Sequence, residues 1–195
     1  MMKPTIFLMG LMAMAVSLSA TTINFAGGGA LGTSNTYGPV VATGYFTNLT
    51  LSNLFGKGTA GNTGSEDGLG LQRDPTGDDE IFPGNDFIQL DISSLSGIIQ
   101  IAMASTGGDT WAIYGSNTLG VLGMTSLASG GSDDGVFVTV MNATSYHYLD
   151  VKAVTNNVLL QQLSYTARVP EPGTLGIVGL GGVLIGLLRR KLRQN

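Results

Sequence analysis

Between residues 21 and 168 the chain is interrupted by Gly, Asn, Ser, Thr and Asp so often that no stretch of ten residues reads as a helix. The segments left between these interruptions are short and rich in β-branched and aromatic residues, which suit a pleated, half-buried surface. Eight strands are predicted: 22–26, 40–51, 87–92, 98–104, 110–114, 135–141, 146–154 and 158–166. Short strands separated by turn signals define an all-β class, an antiparallel β-sandwich or jelly-roll-like body. Within Tyr146–Ala153, alternation places Leu149, Val151 and Ala153 on a core face, with Tyr148, Asp150 and Lys152 toward solvent.

The body has no cysteine, so neither a disulfide nor a thiolate metal site can brace it, and packing must suffice. It is long enough for one domain with a real core. Four bases (Lys57, Arg73, Lys152, Arg168) face twelve acids, a net charge of −8. Nucleic acid is therefore not an expected partner, because binding phosphate backbones takes clustered positive charge.

Eight of those acids lie between Gly56 and Asp91. Carboxylates are hard oxygen ligands, so Asp78, Asp79 and Asp86 are candidate Ca²⁺ ligands, although their spacing is not that of an EF-hand loop and a solvated acidic loop is the simpler reading. Gly27-x-Gly29-x-x-Gly32 has the letters of a dinucleotide fingerprint without the helix that should follow. His147 is the only histidine; it shares the predicted face of Leu149 and Val151 and reads as a structural, hydrogen-bonded side chain. No Gly-x-Ser-x-Gly elbow accompanies it, and carboxylate-pair glycoside hydrolysis would have to rely on the acidic loop. No catalytic residue is assigned. Sugar binding asks for less: Trp111, Tyr114, Tyr146 and Tyr148, with Asn117, could form an aromatic platform, against the plain alternative that a lone Trp is core.

Both ends carry signals. Lys3 precedes an apolar run from Ile6 to Leu18 that closes on the small residues Ser19 and Ala20, the layout of a secretory signal peptide over residues 1–20. The Sec translocon and signal peptidase are thus expected partners. At the other end, Pro170 and Pro172 fix φ and lack N–H donors, so Val169–Pro172 should be a stiff, extended stub that neither helix nor sheet absorbs. Gly173 to Leu188 contains no ionisable side chain and, as a helix, would span about 24 Å at roughly 1.5 Å per residue. That is short for a bilayer core of roughly 30 Å. Arg189, Arg190, Lys191 and Arg193 can snorkel to the interface and should hold this end in the cytoplasm. A buried core helix would also fit the length, but the glycines in 174–188 suit a membrane helix better than a soluble one.

Motif, apolar helix and basic cluster in this order resemble the PEP-CTERM sorting domain of Gram-negative bacteria, with Val169-Pro170-Glu171-Pro172 as the motif. The resemblance covers residues 169–193. It implies recognition by exosortase, an integral-membrane relative of cysteine transpeptidases that removes the helix and passes the body toward the cell surface or an exopolysaccharide matrix. More loosely, Asp86–Asp91 and Trp111–Asn117 look like the sandwich domains that often precede such tails. The expected organisation is a signal peptide (1–20), an extracytoplasmic β-sandwich (21–168) and a sorting signal (169–193) with its transmembrane helix at 174–188. The expected role is a non-catalytic surface or biofilm-matrix protein. The alternatives are a carbohydrate-binding module for exopolysaccharide, a permanently anchored membrane protein, and a hydrolase.

Overall fold

The structure, a computed structural model, describes residues 16–46, 50–72 and 77–170. Residues 20–167 form one compact unit; residues 1–19 with 168–195 form a second, nearly all of which lies outside the described part. Among the described residues no helix is long and apolar enough to cross a membrane, and segment 174–188 and its basic cluster are not among them.

The body is all-β, in two antiparallel sheets. The first runs β12 (Val138–Thr139), β9 (Ile99–Ala104), β14 (Leu159–Pro170), β7 (Gly68–Leu71), β6 (Leu54–Lys57), β2 (Gly29–Gly32), with β1 (Val16–Asn24) also paired to β14. The second runs β11 (Thr125–Gly131), β10 (Thr110–Ser116), β13 (Tyr148–Thr155), β8 (Phe87–Asp91), β4 (Val40–Phe46), β3 (Ser34–Tyr37), with β5 (Thr50–Ser52) paired to β4. Alternation along each strand sends one set of side chains into a shared core. From the second sheet come Val40, Ala42, Ile88, Leu90, Trp111, Ile113, Leu149 and Val151; Leu54, Leu69, Leu71, Ile101, Met103, Leu160 and Leu163 meet them from the first. Each such burial contributes about 1.5–3 kcal/mol, which is what a chain without disulfides must rely on.

Two glycines account for local geometry that a side chain would strain or block. Gly38, at φ 58°, occupies the first position of the two-residue Gly38-Pro39 turn between β3 and β4, where the hairpin twist calls for positive φ. Gly56 on β6 lies so close to the Gly27 carbonyl that any Cβ would collide with backbone.

The predicted strands differ from the observed ones in instructive ways. The run 40–51 does not continue straight: β5 turns back along β4, pairing Gly44 with Ser52 and Phe46 with Thr50. Only Val138–Thr139 of the predicted 135–141 strand is paired. The stub at 169–172 was expected to stay out of the sheet, but β14 includes Val169 and Pro170; a proline tolerates this at a strand end, where the missing N–H costs no ladder bond. Within the acidic stretch, Gly68–Leu71 forms β7, every residue of it buried. Gly27-x-Gly29-x-x-Gly32 leads into β3 rather than a helix.

Candidate functional site

Two recesses concentrate polar chemistry. The first, about 520 Å³, is lined by Lys57, Glu66, Asp78, Glu80, Ser105 and Asp109 with Asn156 and Phe82 beside them. The end of β6 presents Lys57, whose Nζ bonds Glu66 Oε2 at 2.7 Å and Glu80 Oε1 at 2.5 Å. Ser105, held at φ 57°, donates its hydroxyl to Glu80 Oε2 at 3.0 Å, and Asn156 donates to Asp109 Oδ1 at 2.5 Å. Burial pushes the Glu80 carboxyl above its ordinary value, against the lowering pull of Lys57. Burial draws the Lys57 ammonium down, but its two glutamates outweigh that and leave it raised. A cation shared between two carboxylates gives each only part of its stabilisation, so both directions hold together.

Chemically this cleft is self-satisfied. Two glutamates flanking a gap are the minimum equipment for glycoside hydrolysis. Here the Lys57 ammonium bonds both of them.

The second recess, about 270 Å³, lies on the outer face of the second sheet and is lined by Ser34, Thr43, Gln89, Asp91, Leu119 and Tyr148 with Val41. Its floor follows from strand register: Ser34 opposes Thr43, Thr43 opposes Gln89, Val41 opposes Asp91, and Asp91 opposes Tyr148. Residues 117–124 fold over this same face, and two buried side chains tie them down. Gln89 donates from Nε2 to Thr118 O at 3.3 Å and to Asp150 Oδ1 at 2.8 Å, while its Oε1 accepts the Gly120 N–H at 2.8 Å. Asp150 Oδ2 accepts the Gly123 N–H at 2.6 Å. Burial raises the Asp150 carboxyl to about 6, opposed by the bonds from Gly123 and Gln89.

Asp150 is the clearest correction to the alternation argument. Its face was expected to be solvent, yet it is fully buried because a loop covers it. His147 is a second: it precedes β13, is exposed, and does not share the core face of Leu149 and Val151. Its backbone N–H donates to Asn117 Oδ1 at 3.0 Å, and its C=O accepts from Ile92 N.

The four aromatic candidates are not brought together as one platform. Trp111 is 1% exposed inside the core, with its ring against Gly130, so it cannot stack on a sugar. Tyr146 packs on the core and against Gly115. Tyr114 is half-buried on the outer face of β10, paired with Asp150 across β13. Tyr148 alone lines the groove. The calcium candidates are dispersed in environment: Asp78 is exposed, Asp79 half-buried, Asp86 buried. Among the described residues no three His, Cys, Asp or Glu side chains gather closely enough to hold a metal ion. Of the sorting motif, Glu171 and Pro172 lie outside the described residues, and Val169 and Pro170 are described as strand backbone.

Residues 168–193 match the PEP-CTERM protein-sorting motif. The chain therefore carries a PEP-CTERM sorting tail, and exosortase is the processing partner that this motif implies. The match covers the tail and leaves the sandwich without an assigned activity. No curated protein and no solved structure matches the chain.

Proposed function

We propose that this protein is exported, held in the inner membrane by its C-terminal segment until exosortase cleaves near Val169–Pro172, and released as a non-catalytic structural component of the cell surface or extracellular matrix. The observation that carries this reading is the match over residues 168–193 on a chain that begins with a signal-peptide pattern. The Lys57 ammonium lodged between Glu66 and Glu80 supports a body without hydrolase chemistry. The test is the intact mass of the mature protein recovered from cell surface and medium. A product that starts near Thr21 and ends near Val169–Pro172 is expected, and deleting Val169–Pro172 should leave the tail attached and the protein in the inner membrane. A mature mass that retains residues 174–195 would instead make it a permanently anchored protein.

A second reading, a body that binds exopolysaccharide, is favoured by one observation: Tyr148, unlike Trp111, lines a surface groove beside Asp91.

A further inference from the structure

We infer that the groove on the outer face of β3, β4, β8 and β13 is a binding site for a neutral hexopyranose unit of a polysaccharide, with Tyr148 and Leu119 as apolar walls and Asp91, Thr43 and Ser34 as hydroxyl partners. The proposal rests on the glycan reading and is independent of the sorting one.

Three features of the groove carry it. First, its lining is amphipathic in the way a pyranose is: an aromatic ring and an aliphatic side chain for the C–H faces, a carboxylate and two hydroxyls for the O–H edge. Asp91 Oδ1 is used locally, accepting from Ser93 N at 3.0 Å and Ser93 Oγ at 2.6 Å, whereas Oδ2 takes no hydrogen bond among the described residues. A carboxylate oxygen with no protein donor is suited to accept from a ligand hydroxyl, and such charge-assisted bonds are the strong ones.

Second, the apolar wall is pre-organised. Leu119 is 62% exposed, which would ordinarily leave a loop side chain free to move. Both of its neighbours are pinned to the same buried amide, Thr118 through its C=O and Gly120 through its N–H, so Leu119 is fixed beside the groove. Holding an exposed leucine in place lowers the ordering cost that a ligand would otherwise meet. Gln89, with both ends of its amide engaged, serves as a rigid floor and a positioning residue.

Third, size and charge select the ligand class. About 270 Å³ falls just below the drug-sized range of roughly 300–1,000 Å³, which suits one ring of a chain passing across the sheet. The acidic body disfavours a polyanionic glycan, and the groove offers no Lys or Arg to receive a uronate or sulfate. The floor is a set of cross-strand pairs, so a polysaccharide would cross the strands rather than run along them.

The experiment is co-sedimentation and calorimetry of the full chain in mild detergent with a glucan, a mannan and a galactan, using alginate as the acidic contrast. Retention on at least one neutral polymer is expected, weakened roughly tenfold or more by Tyr148→Ala and by Asp91→Asn. Asn keeps the acceptor that Ser93 uses, so the turn is preserved. Leu119→Ser should weaken binding without moving the unfolding midpoint, and it decides the matter together with Asp91→Asn if Tyr148→Ala fails to fold. Asp109→Asn, in the Lys57 cleft, should change nothing. Absence of retention on every neutral polymer, preference for alginate, or binding indifferent to Asp91→Asn and Leu119→Ser would overturn the assignment. The mass of the mature product tests sorting separately, so the two failures are distinguishable.

Discussion

The cleft around Lys57 holds five ionisable side chains, and the groove beside Tyr148 holds a single carboxylate, yet the groove is the better place to look for a ligand. In the cleft the charges answer one another: Lys57 takes Glu66 and Glu80, Ser105 takes the remaining oxygen of Glu80, and Asn156 takes Asp109. In the groove the polar atoms of Gln89 are committed to holding a loop, while Asp91 Oδ2 takes no hydrogen bond among the described residues. Polar density is therefore a poor guide to binding. What distinguishes a site is chemistry left unanswered on a frame that does not move.

If the cleft is structural, removing its cation should have the largest effect of all. Lys57→Ala takes from the buried Glu80 the ammonium bonded to its Oε1 and should lower stability by about 3 kcal/mol near neutral pH, read by urea unfolding. A loss below about 1 kcal/mol would mean that the cleft tolerates an empty centre, and the comparison would reverse.

The clasp beneath the groove gives the next effect, through pH. The folded value of Asp150, about 6, lies above the ordinary 3.8, so the folded chain holds this proton more tightly than the unfolded one. The resulting stabilisation is fully present below about 3.8 and is lost as pH rises through about 6. Between pH 7.5 and pH 4 it amounts to about 2 kcal/mol. Asp150→Asn should remove that increment from the pH dependence of the unfolding free energy. Glu80 contributes in the same direction in both proteins, so only the difference between them reports on Asp150.

Gly123→Ala should cost less, about 1–3 kcal/mol, because a Cβ there would run into the Gly115 carbonyl and lift the loop from Asp150. Smallest on stability, within about 0.5 kcal/mol, should be Asp91→Asn and Leu119→Ser, the same changes that should weaken glycan retention. Stability and binding would then be carried by different residues on the same face of one sheet.

How much of this could be read from the sequence depends on the range of the interactions involved. Strands β8, β9 and β10 are legible because turn residues bracket short apolar runs. Strand β7 is hidden among carboxylates: its Gly-Leu-Gly-Leu reads as loop until Leu69 and Leu71 meet the core and Gly70 admits the Asp79 backbone. Alternation assigns Asp150 to the outer face correctly and its environment wrongly, since what buries it is a loop from β10 and a glutamine 61 residues away in sequence. No local pattern announces the groove either, because Ser34, Thr43, Asp91 and Tyr148 come from four strands joined by register, and Leu119 from a loop that the Gln89 side chain holds. Tyr148 is legible as an aromatic candidate, and Trp111 as the core residue that a lone Trp more often is.

The order of strands in the first sheet also governs timing. Strand β14, last of the described strands, lies between β9 and β7, and its Gln161 carbonyl accepts the N–H of Phe25 from the other end of the body. That sheet cannot close around its middle until this strand is in place. A chain that emerges from its N-terminus would thus keep this sheet open until β14 arrives, with such distant pairings forming slowly and late. Placing the last strand at the centre makes the fold its own brake on premature folding.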